Sequence, residues 1–187
     1  DAWEGGHRIP FIARWSGKIP AGSKSNQLIC NVDLIATLAV LTGGVLQEGQ
    51  GRDSVNILPA LVGDPGKPVR EQVLLAGMKP SHLALRKGNW LYLGAQGGGG
   101  FSNSKRGEHA FGGPAAITFS KRPNSDIANG RIKKDAPPAQ LYNLESDLGQ
   151  TTNLYREHPE IVEEMKALLA NYSRNAPKAD TEKKATK

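Results

Sequence analysis

With 187 residues the chain is long enough for one domain and part of a second, and 22 glycines and 12 prolines against 38% hydrophobic residues call for much irregular loop. The net charge of +6 invites a nucleic-acid reading, but no aromatic platform is interleaved with the basic residues, and half of the excess sits in the polar tail from Arg174 to Lys187, so a dedicated nucleic-acid module is set aside. No apolar run reaches the length of a membrane span, and the single cysteine, Cys30, rules out an internal disulfide.

The chain opens without a methionine on a glycine turn, Glu4-Gly5-Gly6, that feeds straight into Ile9-Pro10-Phe11-Ile12-Ala13-Arg14-Trp15. Phe11, Ile12 and Ala13 form a short apolar run of the kind that parallel sheets bury on both faces, so residues 9–15 are expected as a strand. Because first residues are seldom docked and an open strand edge must be covered, the chain reads as a fragment of a longer protein that would be poorly soluble alone. Residues 16–22 are a loop by composition. Leu34, Ile35, Leu38, Ala39 and Leu41 recur at three and four, which predicts a short core-facing helix over residues 32–42, capped by Asn31 and ended by Gly43. Residues 57–62 suit one or two helical turns, and the main boundary is expected at 63–68.

Beyond it, residues 72–76, 82–85 and 90–93 read as strands, the last two forming a hairpin through Lys87-Gly88-Asn89. The segment 94–136, with Gly97-Gly98-Gly99-Gly100, is long for a connection between paired strands, and an insertion of this kind is expected to be either functional or disordered. A last strand at 140–143 leads into the Asp147-Leu148-Gly149 turn. His158-Pro159 then opens the best helix, whose stripe of Ile161, Val162, Met165, Leu168, Leu169 and Tyr172 should lie across the hairpin sheet. The expected division is 1–63, 64–173 and a disordered basic tail at 174–187.

The chemistry is thin. The glycine cluster fits neither a P-loop nor a dinucleotide fingerprint. Histidines at 7, 82, 109 and 158 show no metal-ligand spacing, no serine lies in a Gly-x-Ser-x-Gly elbow, and no catalytic or metal residue is assigned. Cys30, among Leu28, Ile29 and Val32, reads as a small buried hydrophobe, and Met165 as core packing.

Four motifs in order carry a family resemblance: Glu4-Gly5-Gly6-x-Arg8-x-Pro10 with Trp15-x-Gly17; residues 31–38 with Leu41-Thr42-Gly43; Leu85-Arg86-Lys87-Gly88-Asn89-Trp90; and Leu141-Tyr142-Asn143-Leu144-x-x-Asp147-x-Gly149-x-Thr151-x-Asn153-Leu154. Over residues 3–172 the chain resembles the C-terminal part of the formylglycine-dependent sulfatases, of the arylsulfatase family and the alkaline phosphatase superfamily. The resemblance implies an α/β fold: the last strand and helix of the large domain at 1–63, then a small α+β subdomain of antiparallel sheet and C-terminal helix. It also implies sulfate-ester hydrolysis of a sulfated small molecule or carbohydrate, with formylglycine as nucleophile and calcium as Lewis acid. Both belong to a missing N-terminal catalytic portion, and the family's sulfate-binding lysine falls about four residues before Trp3. The family favours a periplasmic or secreted protein. Ser16, Ala36, Leu148 and Gln150 depart from its usual residues.

Within that reading His7, Lys79, His82 and His109 are the candidate substrate contacts. Arg8 and Glu4 are expected to pin their own turn, and His158 to cap its helix. Two rivals remain: a phosphatase or phosphodiesterase of the same superfamily, and a non-catalytic module binding anionic glycans through Lys79, His82, Lys105 and Arg106.

Overall fold

The computed structural model describes residues 1–100 and 120–175, with side chains described as far as Tyr172 in the final helix. The architecture is a four-stranded antiparallel sheet between a helix on one face and the chain's first residues on the other. Its strands are β1 (Gln72–Ala76), β2 (Leu83–Lys87), β3 (Trp90–Leu93) and β6 (Gln140–Asn143), in that spatial order. Lys87 pairs with Trp90 across a two-residue loop in which Gly88 takes φ +55°, a left-handed conformation that a side chain would resist. A small hairpin, β4 (Ile127–Ala128) and β5 (Arg131–Ile132), lies within the expected insertion.

Alternation along the strands builds two cores. Leu85, Tyr92 and Leu141 stand in register on one face, where they meet Val162 and Met165 of the C-terminal helix α4 (Pro159–Asn175). The whole expected stripe of α4 joins this cluster, and Met165 is 1% exposed, as packing requires. The opposite face carries Ala84, Leu91, Leu93 and Tyr142, and it is covered by Ala2 and Trp3. His158 precedes α4 with its carbonyl accepting Val162 N–H and its ring edge-on to Trp90 at 5.2 Å.

The N-terminal third departs from expectation. Residues 9–15 form no strand, and Ile12 is 91% exposed. A parallel strand needs hydrogen-bonding neighbours, and residues 9–15 pair with no strand of the sheet that this chain builds from residues 72–143. Instead the Glu-Gly-Gly turn winds into a single helical turn, α1 (Glu4–His7). The next helix does form, as a 3-10 turn over Asn31–Asp33 continued by α2 (Leu34–Leu41), but Ile35, Leu38 and Leu41 are exposed rather than core-facing. Asp33, not Asn31, supplies the cap: its Oδ2 accepts Cys30 N–H at 2.8 Å. A short α3 (Leu58–Val62) follows. Cys30 is half-buried rather than fully enclosed.

Asp33, fully buried, joins these pieces to the sheet. Arg70, just before β1, donates to both of its carboxylate oxygens and also to the carbonyls of Asp53 and Gln72. Val55 N–H completes the carboxylate's partners at 3.0 Å. Burial pushes the Asp33 carboxyl up, but the Arg70 hydrogen bonds and then those of Val55 and Cys30 outweigh it and hold it below the usual carboxylate range.

Candidate functional site

The chemistry-bearing groups gather where the first residues lie against the sheet. Trp3 is buried with Leu91, Leu93 and Tyr142, and its indole N–H donates to Gln140 Oε1 at 3.0 Å. Gln140, 1% exposed in β6, also accepts Tyr142 O–H at 2.7 Å and donates to the carbonyls of Ala95 (2.7 Å) and Gly97 (3.0 Å). All four hydrogen-bonding positions of the amide are thus filled. Tyr142 in turn accepts from Asn124 Nδ2, which also donates to the Gln150 carbonyl. Gln150, buried and held at φ +54°, returns its Oε1 to Glu4 N–H at 2.7 Å. This closes a buried polar circuit from Trp3 back to Glu4.

Glu4 is buried beneath two guanidinium groups and an imidazole ring. Oε1 meets His7 Nε2 at 3.2 Å, while Oε2 meets Arg8 at 3.4 Å and Arg86 of β2 at 3.6 Å. Burial pushes its carboxyl up, but the His7 hydrogen bond and the charges of Arg86, His7 and Arg8 hold it below the usual range. Glu4 and Arg8 therefore pin the turn as expected from the sequence. A carboxyl depressed on folding contributes stability above its unfolded value, here 4.5 for Glu4 and 3.8 for Asp33, and loses it as pH falls through the folded value. Stability is accordingly expected to decline below about pH 4.5, and Glu4→Gln should flatten that limb in urea titrations taken between pH 3 and 6. An unchanged slope would show that Glu4 is not linked to folding.

The sequence candidates fall into three groups. His7 stands in α1, with Nε2 on Glu4 and Nδ1 buried without a hydrogen bond. Lys79 and His82 are brought together against the glycine run: Lys79 N–H donates to Gly99 O, and His82 N–H to Lys79 O. His82 contacts Ser81 Oγ through Nδ1 at 3.0 Å and Gln96 O through Nε2 at 2.9 Å. Its ring also lies 2.5 Å from where a Cβ on Gly99 would stand, at a residue with φ +69°, so only glycine fits there. Gly98 O accepts Ala2 N–H, and Gly97 to Gly100 are buried. His109, Lys105 and Arg106 lie outside the described residues.

Among the described residues no three His, Cys, Asp or Glu side chains converge as a metal site. A polar cleft of about 200 Å³ lies elsewhere, between the β4–β5 hairpin and residues 153–157, and holds none of the candidates. Several of its groups bond to one another: Asn153 donates to Asp126, Lys133 to Ser125 O, and Arg156 to Asp135 O. No described helix is long and apolar enough to cross a membrane.

No family model matches the chain. It is 30% identical over 168 residues to an N-acetylgalactosamine-6-O-sulfatase of Bacteroides thetaiotaomicron, a match covering 90% of this chain and 28% of that protein. Human arylsulfatase G is 28% identical over 174 residues, covering 90% of this chain and 29% of its own. The chain thus spans less than a third of the length of these relatives. A solved structure described under the metabolism of multiple glycosaminoglycans by Bacteroides thetaiotaomicron superposes with a TM-score of 0.64 at 27% identity, over 93% of this chain and 31% of that one. The structure of Ps i-CgsB superposes at 0.53 over 85% of this chain and 27% of that one, with 18% identity, a likeness of fold alone. The antiparallel sheet with its C-terminal helix is the arrangement these structures share, and the sulfatases named here match this chain over about 90% of its own length.

Proposed function

We propose that this chain is the sheet-and-helix part of an enzyme that hydrolyses sulfate esters of carbohydrates, and that residues 1–63 complete its large α/β domain while 64–173 form the subdomain beside the substrate. The observation that carries the reading is the exposed apolar face of residues 9–45. Phe11, Ile12, Trp15, Ile35, Leu38 and Val45 are all solvent-facing, whereas the sheet behind Trp3 is fully packed. So many large apolar side chains left in solvent along one stretch of chain mark an interface. The remaining two thirds or more of the length seen in the relatives supplies an occupant, with residues 9–15 adding to its sheet as a strand.

Calcium and formylglycine, which the family implies, would be held by that remainder. The residues described here do not fit a calcium site: the buried carboxylates Glu4 and Asp33 are already satisfied by Arg8, Arg86, His7 and Arg70. What this chain contributes is position. The Trp3–Glu4 turn is fixed from the sheet side, and His7, the candidate within that turn, is oriented by Glu4 with one ring nitrogen uncommitted. Lys79 and His82 belong to the subdomain side of the same substrate opening. The first relative's name makes N-acetylgalactosamine 6-sulfate the first substrate to try.

Two measurements test this. Ion chromatography should detect sulfate released from that sugar by the protein expressed with all residues encoded before Asp1, and none by the 187-residue chain alone. Ile12→Asp should leave the stability of the 187-residue chain within about 0.5 kcal/mol, as for a surface substitution. In the longer protein it should cost about 3 kcal/mol or more by burying an unpaired charge. Equal effects in both proteins would remove the proposed interface.

A further inference from the structure

We propose that Gln140 is a positioning residue for the sulfate-ester site, acting through Trp3; the proposal rests on the sulfatase reading above. A glutamine in the middle of an apolar strand is costly unless every polar atom is paired, and this one pairs all four positions with groups from three separate stretches of chain. Its Oε1 takes the Trp3 indole and the Tyr142 hydroxyl, and its Nε2 takes the backbone at Ala95 and Gly97. The glycine run is gripped from the other side by His82 on Gln96 O and closes on the first residues through Gly98 O and Ala2 N–H. The chain entering at Trp3 therefore has no sliding freedom against the sheet. A hydrophobic residue at 140 would pack as well but would leave the turn's depth and rotation unspecified. The fully bonded amide thus selects one arrangement of the turn that carries His7 and borders the incoming chain.

The test uses the protein with all residues encoded before Asp1, assayed for sulfate release on a panel of N-acetylgalactosamine 6-sulfate, other sulfated hexosamines and 4-nitrophenyl sulfate. Trp3→Phe keeps an aromatic ring against the sheet but removes the indole N–H together with part of the ring volume. It should lower kcat about tenfold or more, since a misplacement of about 1 Å can cost about a hundredfold, with KM within about twofold and a melting temperature lowered no more than by Leu85→Ala. Gln140→Met should lower kcat further and abolish slow exchange of the Trp3 indole proton. Leu85→Ala, which opens a cavity on the opposite face of the sheet, is the control: it should lower the melting temperature and leave kcat unchanged. If Trp3→Phe leaves kcat unchanged, or if Leu85→Ala lowers kcat as much, positioning through Gln140 is overturned while the sulfatase reading stands. A wild type that releases no sulfate from any member of the panel overturns both.

Discussion

Asp33→Ala is expected to lower the stability of the chain by about 3–5 kcal/mol, the range for removing one partner of a buried ion pair. The physical reason is what the substitution leaves behind. Arg70, with a side chain only 10% exposed, would lose the carboxylate that holds two of its nitrogens, and the N–H groups of Val55 and Cys30 would lose their acceptor. Arg70 keeps only the carbonyls of Asp53 and Gln72, which do not neutralise it. In a chain of this size each kcal/mol moves the melting temperature by about 2–4 °C, so a drop on the order of 10 °C is expected by differential scanning calorimetry. The double replacement Asp33→Leu with Arg70→Met should recover part of the loss, because it removes the stranded charge along with its partner. A single-variant loss below about 1 kcal/mol would show that the pair is solvated rather than structural.

Gln140→Met should cost about 3–5 kcal/mol, counting the desolvation of groups left without partners and allowing for their non-additivity. Methionine fills nearly the same volume, so the penalty is not a cavity. It arises from the Trp3 indole N–H, the Tyr142 hydroxyl and the carbonyls of Ala95 and Gly97, each deprived of its partner inside the sheet. Tyr142 is not relieved by ionising, since burial holds its phenol well above its usual pKa. Urea unfolding followed by Trp3 fluorescence would read the effect, and a change under 1 kcal/mol would mean that water replaces the amide.

Much of the sheet was legible in the sequence because its determinants are local. Strands at 72–76 and 140–143 match β1 and β6, and the hairpin turn at Gly88-Asn89 needed only the left-handed glycine. The α4 stripe was equally clear, since its 3.6-residue period has one apolar face to bury. Residues 9–15 form no strand in this chain for the converse reason: an apolar run states a preference for burial but cannot supply the neighbouring strands, and Ile12 stays exposed where this chain pairs it with none. At the site, the pinning roles of Glu4 and Arg8 followed from a charge placed beside a glycine turn. The Gln140 and Gln150 contacts did not, because they join residues 137 and 146 positions apart. The one local hint was a lone amide inside Ala139-Gln140-Leu141-Tyr142, whose alternation places it on the same face as Tyr142.

The most direct test of the account is which ester bond the whole protein breaks. Expressed with every residue encoded before Asp1 and given matched sulfate and phosphate esters of N-acetylhexosamine, it should release sulfate, measured by ion chromatography, with phosphate release lower by orders of magnitude. Phosphate release without sulfate would contradict the central claim and place the chain in a phosphoryl-transferring enzyme built on the same fold.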